Sequence, residues 1–165
     1  MRQQSFNKLL LQFESYISSV AQETSKGQCL RKVIDVIFFG TSIMRNLKND
    51  VSWSVIQKKN YLLFNMGVGG ARAREIEYWV NTFDMTLARI LVLHCGSNDA
   101  STCKSPEDII YTIFNIMVGA TLKNSNIKIL VSEILPRATS IFNKYNGMSE
   151  NEIIQKVNEK LQKIC

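Results

Sequence analysis

Three short segments of this chain carry residue types that could take part in chemistry, and each follows an apolar run. They are residues 40–42 (Gly-Thr-Ser), 65–70 (Asn-Met-Gly-Val-Gly-Gly) and 96–99 (Gly-Ser-Asn-Asp). A serine hydroxyl presented between a strand and a helix is a candidate nucleophile. Glycine backbone N–H groups bind anions, and an asparagine amide donates to an oxyanion. Each of these three signals is weak when taken alone.

Each segment also has a purely structural explanation. Ser42 suits a helix N-cap, the glycines suit a tight turn, and Asn98 with Asp99 is a common turn pair. A dinucleotide-binding loop is excluded, because Arg72 occupies the third glycine position of G-x-G-x-x-G and no acidic residue ends the next strand. The lysine motif of a Walker-type phosphate loop is absent as well.

Apolar periodicity predicts strands that alternate with helices. The predicted strands are residues 33–39, 61–65, 90–95 and 127–134, and the predicted helices are residues 3–22, 71–83, a segment that starts at Ser105, and 149–164. Such alternation is typical of right-handed βαβ units with a parallel sheet. The predicted fold is a three-layer α/β/α, flavodoxin-like sandwich with four recognisable strands and an extra N-terminal helix. Function gathers at the carboxyl ends of such strands, where the three segments lie.

Composition narrows the class of protein. The chain has 165 residues, 45% of them hydrophobic and 21% charged, as in one globular domain. No apolar run suits a membrane span or a signal peptide, so we expect a cytoplasmic protein. A single histidine and four widely spaced cysteines (Cys29, Cys95, Cys103 and Cys165) predict reduced thiols, no metal site and no cofactor. The net charge of +6 comes from scattered lysines, which favours a solvated surface over a nucleic-acid partner.

In this order, the three segments resemble the motif blocks of the SGNH, or GDSL-type, serine esterases. That family has a serine in G-D-S after strand one, a glycine after strand two and an asparagine in G-x-N-D after strand three. The resemblance implies that Ser42 is the nucleophile, and that the Gly70 N–H, the Asn98 amide and the Ser42 N–H form the oxyanion hole. It covers roughly residues 34–165 and looks most similar to intracellular, transposon-encoded esterase-like domains. The implied substrate is a small ester or acyl compound.

The chain departs from the family pattern at two places. Thr41 replaces the aspartate of G-D-S, which usually braces the loop. The D-x-x-H segment that supplies the catalytic aspartate and histidine is absent from the 165 residues. His94, the only histidine, is expected roughly 13 Å down the strand from Asn98, too deep to meet Ser42. The sequence therefore predicts a nucleophile and an oxyanion hole without a base.

The sequence is compatible with three functions. The first is an SGNH-type ester hydrolase that is weak or inactive as this chain alone. The second is a catalytically inactive SGNH-fold module for binding or assembly. The third, a nucleic-acid-binding module, rests only on net charge.

The N-terminal helix is predicted to be amphipathic. Residues 1–27 form this helical region, and residues 28–165 form the α/β domain. One apolar stripe on the helix contains Phe6, Leu9, Leu10, Phe13, Tyr16, Ile17 and Val20. We expect the stripe to pack beside strand one, on the sheet face that a further C-terminal helix would cover. The alternative is a homo-oligomer, formed through this helix or through strand four as an exposed edge.

Overall fold

The computed structural model describes residues 2–25, 34–47, 49, 61–102, 104–138 and 145–164, and within the first helix it describes the side chains through Ser15 and that of Ser18. In chain order the elements are α1 (Arg2–Ser25), β1 (Ile34–Gly40), α2 (Ser42–Leu47), β2 (Leu63–Gly67), α3 (Ala73–Thr82), β3 (Ala88–His94), α4 (Ser97–Ala100), α5 (Pro106–Lys123), β4 (Lys128–Val131) and α6 (Glu150–Ile164). The sequence predicts four reduced thiols, and three of these cysteines lie outside the described ranges: Cys29, Cys103 and Cys165. None of the helices described is long and apolar enough to cross a membrane.

The four strands form one parallel sheet in the order β2-β1-β3-β4. β1 lies at the centre and pairs with both β2 and β3. Its last residue, Gly40, lies opposite Gly67 on one side and His94 on the other. The carboxyl ends of these three strands therefore finish in one row. The predicted α/β fold, with a four-stranded parallel sheet and helices on both faces, is confirmed.

The described helices cover the two faces of the sheet unequally. Ile37 and Phe39 point into a large core that includes apolar residues of α3, α5 and α6. On the opposite face, Phe38 packs against Met44 of α2. Within the described ranges, α2 is the helix on this second face, and the Leu130 side chain of β4 is 58% exposed.

Helix α1 packs on the face of α3, not on the face of α2. Phe6 stacks on Trp79 of α3 with ring centroids 4.7 Å apart, and Phe13 meets Phe64 of β2 edge-on. The helix therefore packs on the sheet of its own chain, as expected, but beside β2, so the expectation that it lies beside strand one is wrong. The physical reason is that β2 is an edge strand, so Phe64 and the outer side of α3 form an apolar surface for the stripe. The side chains of Tyr16, Ile17 and Val20 lie outside the described set.

Candidate functional site

Ser42 begins helix α2 directly after β1. The Arg45 N–H donates to the Thr41 carbonyl at 3.0 Å, so Ser42 lies in the first turn and Thr41 occupies the position before it. Backbone N–H groups in a first helical turn have no partner within the helix. Ser42 is half-buried, whereas Thr41 is buried beneath it. The hydroxyl and the N–H of Ser42 are therefore both at the carboxyl end of the central strand.

Asn65 ties this serine helix to the end of β2. Its side-chain nitrogen donates to the Met44 carbonyl at 2.6 Å, and its side-chain oxygen accepts from the Gly67 N–H at 2.9 Å. Glycine is needed at position 67, because a Cβ there would lie 2.3 Å from the backbone nitrogen of Arg45. The helix that carries Ser42 is thus in direct contact with the glycine loop.

The glycine loop bends from β2 towards β1 and reaches Gly70, which is exposed. The Val68 N–H donates to the Gly40 carbonyl at 2.9 Å. Gly70 has a φ of +75°, a left-handed conformation that glycine adopts without steric cost. The Arg2 guanidinium of α1 donates to the Gly70 carbonyl and also pairs with Glu75 at 3.2 Å. The loop is therefore held from β1 on one side and from α1 on the other.

Asn98 lies in the short helix α4, directly after β3. The chain leaves the strand at Gly96, whose φ is +108°. The side-chain nitrogen of Asn98 donates to the Ala71 carbonyl, one residue beyond the glycine loop, at 2.8 Å. The neighbouring Asp99 is buried and accepts from the Ala73 N–H at 2.9 Å. These two hydrogen bonds tie the end of β3 to the end of β2.

The sheet register places the three predicted residues at one edge. Ser42, Gly70 and Asn98 each follow the last row of paired residues within four positions. Neighbouring strands lie about 4.8 Å apart, so the three residues follow the ends of strands that are adjacent in the sheet. The links that the structure shows run through the loops, and no hydrogen bond within the described residues joins Ser42 directly to Asn98.

His94 lies at the carboxyl end of β3, in register with the last residue of β1. The expected depth of roughly 13 Å is therefore wrong, because the turn at Gly96 ends the extended spacing between His94 and Asn98. The imidazole is nevertheless turned towards the other edge of the sheet. Its Nδ1 lies 2.7 Å from the hydroxyl of Ser132, which follows β4. Direction, not depth, keeps this ring from Ser42.

His94 and Cys95 are ionisable side chains that are buried at this strand end. Burial lowers the pKa of His94, an effect that the backbone carbonyl of Glu133 opposes. Burial raises the pKa of the Cys95 thiol far above its usual range, and the nearby Asp99 carboxylate adds to that rise. Cys95 is therefore a protonated, unreactive thiol and not a competing nucleophile. Among the residues described, no group of three histidine, cysteine or acidic side chains is arranged to hold a metal ion.

The structure also adds two residues that the sequence analysis did not single out. Arg137 places one guanidinium nitrogen 3.4 Å from the Asn98 side-chain oxygen and another 3.6 Å from the Glu150 carboxylate. Arg137 is 39 positions from Asn98, and no local pattern in the sequence marks the contact.

Three clefts in the described part of the chain lie along α3 and α5, where one reaches Asp99, and at the amino ends of β3 and β4. None of the three has Ser42, Gly70 or Asn98 in its lining. The position of these residues after adjacent strand ends, and not a cavity, therefore defines the candidate site.

No known family model matches the sequence, and no curated protein matches it. Solved structures do match. A member of the lipolytic protein G-D-S-L family from Veillonella parvula aligns at 21% identity and a TM-score of 0.59, over 79% of this chain and 71% of its own. A GDSL-like lipase from Bacteroides thetaiotaomicron aligns at 17% identity and a TM-score of 0.65, over 90% of this chain and 72% of its own. A carbohydrate esterase family 3 protein from Talaromyces cellulolyticus aligns at 18% identity and a TM-score of 0.60, over 79% of this chain and 72% of its own. The chain therefore has the SGNH/GDSL-type hydrolase fold.

Proposed function

We propose that this chain is an SGNH-type serine ester-hydrolase domain for a small acyl ester, with Ser42 as its nucleophile. The Gly70 N–H, the Asn98 amide and the Ser42 N–H are the proposed oxyanion donors. One observation carries the proposal: the Asn98 side chain, after β3, is hydrogen-bonded to Ala71, just beyond the glycine loop that follows β2, and β1, which leads to Ser42, lies between these two strands. The likeness to lipolytic and esterase structures supports the same reading.

The reaction begins when the Ser42 oxygen attacks the carbonyl carbon of the ester. The carbonyl oxygen then becomes an oxyanion, and the three donors stabilise its charge. Collapse of this intermediate expels the alcohol and leaves an acyl-serine, which water hydrolyses to the acid and free Ser42. Both halves require a base that accepts a proton from the attacking oxygen and returns it to the leaving group.

The proposal assigns no base to this chain. His94 is its only histidine, and the imidazole is bonded to Ser132 on the side of β3 away from β1. A serine hydroxyl without a base is a poor nucleophile, and an oxyanion hole with substrate binding leaves a residual acceleration of about 10³–10⁴-fold over water in a serine protease stripped of its triad. We therefore expect slow hydrolysis from this chain alone.

Chemical rescue tests the proposal. Hydrolysis of a short-chain nitrophenyl ester is measured for the wild type, Ser42→Ala and His94→Ala, with and without added imidazole. Without imidazole we expect Ser42→Ala to match the wild type closely. With imidazole as external base, the wild type should exceed Ser42→Ala by at least about tenfold, because general-base catalysis contributes about 10²–10⁴-fold. His94→Ala should behave as the wild type does.

Two outcomes would contradict the proposal. Equal rates for the wild type and Ser42→Ala at every imidazole concentration would favour an inactive binding or assembly module. A large Ser42-dependent rate without imidazole would show that the chain supplies its own base, and a loss of that rate in His94→Ala would identify it.

A further inference from the structure

The side chain of Asn98 could adopt either of two orientations that differ by a 180° flip of its amide. A carboxamide has an oxygen and a nitrogen of nearly equal size, and only its neighbours decide which way each points. Asn98 has one neighbour of each kind. The Ala71 carbonyl only accepts hydrogen bonds and lies 2.8 Å from the Asn98 nitrogen, whereas the Arg137 guanidinium only donates and lies 3.4 Å from the oxygen. Both neighbours therefore favour the same orientation.

Arg137 is itself held firmly. Its backbone N–H donates to the Asn151 side-chain oxygen at 2.9 Å, and its carbonyl accepts from the Asn151 side-chain nitrogen at 3.1 Å. Its guanidinium pairs with Glu150, whose side chain is fully buried at the start of α6. Neither carboxylate oxygen of Glu150 has a hydrogen bond within the described residues, so this ion pair is the charge partner that the structure shows for it.

We propose that Arg137, anchored by Glu150, is a positioning residue that fixes the Asn98 carboxamide with its nitrogen towards the glycine loop. This inference rests on the proposed role of Asn98 as an oxyanion donor. One N–H of the Asn98 nitrogen is used by Ala71, and the fixed orientation leaves the second N–H as a donor for substrate oxygen. A flipped amide would set nitrogen against guanidinium and oxygen against the Ala71 carbonyl, which would remove the donor.

Nuclear magnetic resonance tests this role without any turnover. The side-chain NH₂ signals of Asn98, assigned by their loss in Asn98→Asp, are recorded for the wild type, Arg137→Met, Arg137→Lys and Arg89→Met. Arg89 is the matched control, because it is an exposed arginine paired with Asp35 at the amino end of β3. We expect both Arg137 variants to shift the Asn98 signals and to accelerate their exchange with water several-fold, and Arg89→Met to change neither.

Arg137→Lys keeps a positive charge for the buried Glu150, so it preserves the fold if Arg137→Met does not. Unchanged Asn98 signals in Arg137→Lys and in Glu150→Gln would overturn the proposal. In the imidazole-supported assay, with rates divided by the concentration of folded protein measured by circular dichroism, Arg137→Lys should lower kcat with little change in KM, because the lost interaction acts in the transition state. Shifted signals with no Ser42-dependent hydrolysis in any variant would reject the proposed function and leave the positioning role standing.

Discussion

Asn98 and His94 lie four residues apart at the end of the same strand, and the fold treats them in opposite ways. Asn98 is turned towards the glycine loop and is held by Ala71 and Arg137 in a half-exposed position. His94 is buried and turned towards Ser132 beyond the neighbouring strand. Asn98, the proposed oxyanion donor, is therefore held by two neighbours, whereas His94, the only histidine that could serve as a base, points away from the candidate site. Side-chain direction at a strand end, and not residue type, separates a site residue from a core residue.

Removal of the aromatic anchor of α1, the helix whose Arg2 holds the glycine loop beside Asn98, should have the largest effect on stability. Phe6→Ala removes a ring that is 1% exposed and stacked on Trp79. We expect the free energy of unfolding to fall by about 3–5 kcal/mol, as in other buried phenylalanine deletions, when urea denaturation is followed by circular dichroism. The control is Leu11→Ala on the same helix, where the side chain is 65% exposed and the expected change is within about 0.5 kcal/mol. Equal losses in the two variants would show that α1 does not pack as described.

The turn that separates Asn98 from His94 should be the next most sensitive point. In Gly96→Ala, the new Cβ would lie 2.6 Å from Ile134 in a backbone conformation with φ of +108°. Overpacking costs about 1–3 kcal/mol, and strain at positive φ adds about 1–3 kcal/mol. Gly147→Ala separates these two contributions, because Gly147 has a φ of +83° with nothing within 4 Å of the new Cβ. A thermal unfolding series in which both variants lose equal stability would contradict the close contact at Gly96.

The buried imidazole should give a small pH dependence. Because burial lowers the pKa of His94, the unfolded chain takes up a proton first as the pH falls. Stability should therefore be fully present above the unfolded pKa of about 6.5 and should decline below it, by at most about 1.4 kcal/mol for each pH unit. His94→Gln should reduce this slope between pH 7.5 and 5.5 in urea titrations. An equal pH slope in the wild type and in His94→Gln would contradict the buried, neutral imidazole.

The sequence predicted the fold well, because alternating apolar strands and helices leave few parallel-sheet topologies. It also predicted that Ser42, Gly70 and Asn98 would follow the carboxyl ends of strands. β4 ends at Val131 and not at residue 134, because the Asn158 side chain bonds both the N–H and the carbonyl of Ile134. Such contacts depend on distant residues and leave no local pattern.

The larger errors had a common physical origin. An extended strand would separate His94 from Asn98 by four full residue spacings, but the turn at Gly96 ends the extended conformation between them. The packing face of α1 depended on the edge position of β2, which becomes visible only when the strand order is known. Arg137 and Glu150 escaped notice because an ion pair between separate segments has no signature in the sequence.

The central claim is that Ser42 and Asn98 act on the same carbonyl group of the substrate, and a double-mutant cycle tests it most directly. Imidazole-supported ester hydrolysis is measured for the wild type, Ser42→Ala, Asn98→Ala and the double variant. Removal of one oxyanion donor should lower the Ser42-dependent rate by about 10²–10³-fold, or to the background rate if that is reached first. In the Ser42→Ala background, the Asn98 substitution should have no effect, because residues that act as one unit are strongly non-additive. An Asn98→Ala loss of the same size with and without Ser42, or no loss at all, would contradict the account.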